Sequence, residues 1–213
     1  MTPAADTDER FTPEAFFAAT RRALHAEPPS ISDPVGDHSL NPDMLLEPAV
    51  YKDAAVLIPV IAHETGVTVL LTQRTAHLSS HAGQIAFPGG KIDPGDASPA
   101  AAALREAEEE IGLDRGTVSV LGYLNPYLSR TGYRISPVLG RVAPGFLPVP
   151  NAAEVVETFE VPLAFLMNPA NHIRAARTFY GHERYFYEMP YEGRYIWGVT
   201  AGIIRQLYDQ VFA

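Results

Sequence analysis

The chain has 213 residues, 46% of them hydrophobic and 19% charged, which is enough for a globular domain with a sizeable core. Its formal net charge of −9 argues against binding nucleic acid or a membrane surface through a basic face. The absence of cysteine excludes disulfides, thiolate metal sites and cysteine nucleophiles.

In chain order, residues 12–26 read as a helix. Thr12 can cap it, Pro13 suits its first position, and Phe16, Phe17, Ala19, Ala23 and Leu24 form an apolar stripe. The segment EPPSISDPVGDHSLNPD (27–43) reads as a linker or surface loop. This divides the chain into an N-terminal helix and linker, 1–48, and a main domain, 49–213. AAVLIPVIA (54–62) and VTVLLTQR (67–74) are strand-like and joined by HETG, a hairpin signal. The loop 75–84 leads to IAFPGG (85–90), which reads as a short strand entering a glycine turn. Ser98, Pro99 and Gly112 then bound a helix over about 99–111. Beyond it, 118–124, 133–142 and 155–163 are strand-like, and HIRAARTFY and RYFYEMPY suggest a hairpin through 180–183. Val199, Ile203, Ile204, Leu207 and Val211 mark a final helix. Mixed strands with two or three helices predict an α/β or α+β layered domain. No apolar run is long enough to span a membrane, and the acidic N-terminus lacks the apolar core of a secretory signal. A cytoplasmic protein is expected.

The chemistry concentrates in LREAEEEIGL (104–113). It carries Glu106, Glu108, Glu109 and Glu110 with only Arg105 among them. Like charges at i,i+4 on a helix destabilise it by roughly 0.2–0.5 kcal/mol per pair. Glutamates near a helix C-terminus also oppose the macrodipole. At about 100° per residue, Glu106, Glu109 and Glu110 share one face and Glu108 points away. Ala100, Ala103, Leu104, Ala107 and Ile111 form a separate apolar face. An acidic helix run is ordinarily a solvated face. Here FPGGK precedes the helix and can bring backbone N–H groups to an anion, and clustered hard oxygens suit Mg²⁺ or Mn²⁺.

From Gly90 to Leu113 the sequence resembles the Nudix box, the signature of hydrolases that cleave nucleoside diphosphates linked to another group. Arg105, Glu106, Glu109, Glu110 and Gly112 fall on its fixed positions. Asp96 stands where the family has a glutamate, and one extra residue separates it from Arg105. That insertion is shared by the subgroup of coenzyme A pyrophosphatases. LLTQRTAHLSSHAGQIAFPGG (70–90) resembles that subgroup's motif at Leu70, Leu71, Thr72, Arg74, Gly83 and 87–90. Thr75 replaces a serine and Ser79 an arginine; His77, His81 and Arg74 are candidates to supply the missing cation. AEVVETFEVPLAFL (153–166) and YEMPYEGRYIWGVTAGII (187–204) resemble later segments of the family. Tyr187, Tyr191, Tyr195 and Trp197 are either core aromatics or pocket walls.

The resemblance implies a Nudix α/β/α sandwich with a mixed sheet and an N-terminal helical extension. It implies metal-assisted hydrolysis of coenzyme A or its thioesters to adenosine 3′,5′-bisphosphate and (acyl-)4′-phosphopantetheine. Glu106 and Glu110 are the expected ligands of Mg²⁺ or Mn²⁺, with Glu109 a third ligand or a holder of water. Glu154 and Glu109 are the candidates for general base. Arg74, Gly89 and Gly90 are the expected substrate contacts, and Arg105, Asp96 and Gly112 the structural part of the box. Rival readings are a Nudix enzyme for ADP-ribose, NADH or dinucleotide polyphosphates, and a nucleotide sensor without turnover. The expected partner is a coenzyme A-like nucleotide, with neither nucleic acid nor membrane; homodimerisation is left open.

Overall fold

A computed structural model of the chain describes residues 9–30, 35–42, 51–77, 81–179 and 181–213. Its central strand, β2 (Lys52–His63), is apolar on both faces, as a strand covered by helices on each side must be. Ala54, Ile58 and Val60 enter one core, while Ala55, Leu57 and Ile61 enter the other. β2 turns into β3 (Gly66–Arg74) with His63 opposite Gly66, the hairpin expected over HETG. Along its other edge β2 runs parallel to β8 (Tyr133–Val142), from Lys52 opposite Tyr133 to Ile61 opposite Val142.

β2 and β3 pair only near their hairpin, and two short strands fill the space where they separate. β4 (Ile85–Ala86) pairs with β3, and β5 (Gly89–Lys91) pairs with β2. Gly89 and Gly90 are therefore paired strand residues and not the turn expected from their composition. β6 (Ser119–Tyr123) and β7 (Tyr127–Leu128) pair with β8, and β9 (Val155–Pro162) pairs with β3. β1 (Val35–Gly36) runs parallel to β7 and completes a mixed nine-stranded sheet.

Helices lie on both faces. α2 (Pro99–Ile111) packs Ala100, Ala103, Ala107 and Ile111 against Ala55, Leu57 and Val138. On the opposite face lie α1 (Pro13–Ala23) and α4 (Gly198–Val211), contributing Phe16, Phe17, Ile203, Ile204 and Leu207. The result is the expected α/β/α arrangement with a mixed sheet. α1 is integral to it: Phe16 is fully buried and stacks on Phe212 at 6.2 Å. The one-turn α3 (Leu163–Leu166) follows β9. β10 (Ile173–Phe179), β11 (His182–Tyr191) and β12 (Arg194–Trp197) form a separate antiparallel sheet, which packs on α4 through Met189 and Ile196. β10 and β11 form the hairpin expected there.

Part of the expected linker is also structural. Asn41 is buried and exchanges two 2.9 Å hydrogen bonds with the Tyr185 backbone. Asp37 accepts from the Tyr127 hydroxyl and the Arg130 N–H, each at 2.8 Å. These contacts tie the segment to both sheets.

Candidate active site

α2 is built as its sequence specifies. The Ser98 hydroxyl accepts from Ala101 N–H at 3.1 Å, Pro99 opens the first turn, and Gly112 closes the helix in the left-handed region at φ 68°. The last carbonyls are satisfied from outside. Val149 N–H donates to Ile111 O and Asn151 N–H to Glu110 O, both at 2.9 Å. This loop brings Glu154 beside the site. Its carboxylate accepts from Asn151 Nδ2 at 3.4 Å, and its carbonyl accepts from Thr75 N–H, just past β3, at 2.9 Å.

The four glutamates are unlike one another. Glu110 is 2% exposed; its carboxylate accepts from Gly89 N–H at 3.1 Å and from Arg74 Nη1 at 3.2 Å. Burial raises its pKa to about 7, reinforced by the charges of Glu106 and Glu154 and opposed by Gly89 N–H and Arg74. Glu106 is half-buried over Gly90: a Cβ added at Gly90 would lie 2.5 Å from both its Cδ and Oε1. Burial also raises Glu106, against the pull of Arg105. Glu109 lies on the outer side, 55% exposed, 3.3 Å from Arg105. Glu108 turns away and pairs with Arg115 at 2.8 Å.

Each of the four therefore has a guanidinium partner, and Arg105 is not the sole counter-charge that the local sequence suggests. Arg105 still does most. It bonds Glu106 at 3.0 Å, Glu109 at 3.3 Å and the Lys91 carbonyl at 3.1 Å. Asp96 holds it from behind through both carboxylate oxygens, at 3.1 and 3.0 Å. That pairing, with Asp93 N–H, keeps the Asp96 carboxyl below its ordinary pKa.

The helix geometry predicts a convergent trio. The structure brings Glu106 and Glu110 to Gly89–Gly90 and leaves Glu109 on the far side of Arg105. Among the described residues no three acidic or histidine side chains surround one point. The donors nonetheless suit a hard divalent cation. Two carboxylates, one almost fully buried, are held beside each other at raised pKa.

On the sheet face opposite α2 lies a cavity of about 820 Å³, within the usual range for a ligand site. It meets the carboxylates at Arg74, Gly89 and Gly90. Of the aromatics considered from sequence, only Trp197 lines it. Tyr195 stacks on Trp197 at 6.1 Å, Tyr191 packs against Phe165, and Tyr187 lies beneath Arg205. His81 lines the cavity and bonds Gln84 at 2.9 Å, while His77 is exposed. Ser79 lies outside the described residues. Sequence reasoning passed over Lys52, Lys91, Arg130 and Arg184, which all line this cavity. Composition held a signal for two of them, because Lys52 and Lys91 are the only lysines in the chain.

The family model described as the NUDIX domain matches residues 51–181. An uncharacterized Nudix hydrolase, NudL, of Photorhabdus laumondii is 47% identical over 75% of this chain and 85% of its own length. A protein of the same description from Shigella flexneri is 43% identical over 81% of this chain and 89% of its own. Among solved structures, the Nudix hydrolase RenU of M. smegmatis covers 54% of this chain and 72% of its own. It is 27% identical, with a TM-score of 0.44.

Proposed function

This chain belongs to the Nudix family and is a hydrolase of nucleoside diphosphate derivatives, and from that premise we propose that its substrate is coenzyme A or a coenzyme A thioester. The observation that carries this reading is the position of Arg74. It comes from the segment resembling the coenzyme A motif, and it stands between the buried Glu110 and a cavity large enough for a nucleotide. Glu110 takes only Nη1, and the side chain is 23% exposed, so the guanidinium retains N–H donors for a phosphate oxygen.

Glu106, Glu110 and, after rotation off Arg105, Glu109 would hold Mg²⁺ or Mn²⁺. When bound, the ion would neutralise the diphosphate and activate water. Asp96 fixes Arg105, and Arg105 fixes the carboxylates of Glu106 and Glu109. Gly89 and Gly90 have no side chains of their own, which lets the substrate diphosphate approach β5 from the cavity while Glu106 covers Gly90 from the α2 side. Glu109 or Glu154 takes the proton from the attacking water. Water adds across the P–O–P linkage, giving adenosine 3′,5′-bisphosphate and (acyl-)4′-phosphopantetheine.

The test is to incubate the protein with Mg²⁺ or Mn²⁺ and, separately, coenzyme A, ADP-ribose, NADH and diadenosine polyphosphates, then resolve the products. Coenzyme A should be cleaved to the two products named. Brisk cleavage of ADP-ribose with coenzyme A intact would overturn the substrate assignment. Thermal stabilisation by nucleotide without cleavage of any substrate would favour a sensor.

A further inference from the structure

The two lysines of this chain, Lys52 and Lys91, both line the cavity, and the register of the sheet puts them on one face of it. Lys91 pairs with Ala54, and Lys52 lies two residues from Ala54 on β2. Side chains two apart on a strand share a face, so both ammonium groups rise from the cavity floor as diagonal neighbours. Tyr133 and Ile135, which pair with Lys52 and Ala54, line the same cavity and agree with that orientation.

The local charge balance is one-sided. Lys52, Arg74, Lys91, Arg130 and Arg184 line the cavity, and among the described residues that line it Asp37 is the one carboxylate. Asp37 is already engaged by Tyr127 and the Arg130 backbone. Neither lysine has a carboxylate partner among the described residues, and both are exposed. Like charges on neighbouring sheet positions are destabilising, so this pair is arranged to share an anion.

We propose that Lys52 and Lys91 form a second phosphate subsite, which takes a phosphate monoester on the ribose of the nucleotide whose diphosphate lies at Gly89–Gly90. The ligand's identity rests on the coenzyme A reading above, and the position of the subsite does not. Gly89, Lys91 and the position of Lys52 are spaced two residues apart along paired strands, steps of roughly 6–7 Å at about 3.3 Å per residue. A substrate with one phosphate cluster at each end of a ribose fits such a ladder. Lysine suits the role because it is a mobile point charge that needs no fixed acceptor geometry. The subsite would select a nucleoside 3′-phosphate over the same nucleoside without it.

Calorimetry with adenosine 3′,5′-bisphosphate and with AMP decides the matter without turnover. The wild-type protein should bind the bisphosphate at least about tenfold more tightly than AMP, and the K52Q/K91Q double variant should bind the two alike. Equal affinities in the wild type would overturn the subsite, and so would a preference that survives in the double variant. Unfolding curves confirm that the variant is folded. If coenzyme A proves not to be cleaved, the proposed substrate falls, while the binding ratio still rules on the lysines.

Discussion

Glu110 shows how one side chain carries both stability and chemistry. Its carboxyl is driven up to about 7 chiefly by burial, so the folded, metal-free protein prefers it protonated. A raised acid contributes stability that is complete below its unfolded value near 4.5 and is lost as pH rises through 7. The shift corresponds to about 3 kcal/mol as an upper figure. In chelator, Glu110→Gln should therefore match wild type near pH 4.5 and exceed it in stability above pH 7. Urea titrations across that range check it, and a difference independent of pH would refute it. With Mg²⁺ or Mn²⁺ present, the same variant should lose at least about a hundredfold in turnover while remaining folded. At this scale the separation of Glu108 from Glu106 and Glu110 was legible, because helical spacing is a local property. The placing of Glu109 apart from that pair was not, because Arg105 draws it away. Nor was the partner of Glu110. Arg74 lies 36 residues away and meets it only because β3 ends where α2 ends.

Between elements, the decisive contact is that of α2 with β5. Gly90 faces α2 and meets the Glu106 carboxylate, whereas a side chain on Gly89 would strike the Ala55 carbonyl at 2.4 Å. The two glycines should respond differently to alanine. Gly90→Ala pushes aside the end of a side chain and should reduce activity with a modest loss of stability. Gly89→Ala strains the β5–β2 pairing itself, at a backbone φ of 156°, and should destabilise by about 1–3 kcal/mol or more. Thermal unfolding beside a turnover assay separates them; equal effects on both readouts would contradict this division. The long elements were readable, since α2 has its caps written at Ser98, Pro99 and Gly112, and β8 spans the expected residues 133–142. The short ones were not. β1 and β7 have two residues each and no periodicity, and they exist because β8 offers an edge to pair with. Gly89–Gly90 reads as a turn by composition, but a free stretch of β2 recruits it as a strand.

For the whole molecule, the mixture of strand-like and helical runs predicted a layered α/β or α+β domain and the Nudix resemblance implied its α/β/α order, yet neither foretold the cavity. Its walls come from the expected linker, β2, β3–β5, the β7–β8 loop, β8, β11, β12 and α4, which only the tertiary fold assembles. The same dispersal links metal binding to global stability. A divalent ion at Glu106 and Glu110 would bind the folded chain alone. At a hundred times its Kd it should add about 2.7 kcal/mol, raising Tm by roughly 5–10 °C for a chain of this size. Differential scanning with and without Mn²⁺ measures this, and Glu106→Gln combined with Glu110→Gln should abolish it. No increase for the wild type would count against a metal site on α2.

The distribution of lysine also determines how the chain meets electrophiles. Fourteen of its sixteen basic residues are arginine, whose guanidinium resists acylation, so apart from the α-amino group every primary amine borders the cavity. An amine-directed reagent such as an N-hydroxysuccinimide ester should modify Lys52 and Lys91, and peptide mapping should locate both adducts. Adenosine 3′,5′-bisphosphate should shield the two lysines while leaving the α-amino group reactive. The cavity thus carries its own chemical address, readable by mass spectrometry and with no labelling residue to be introduced.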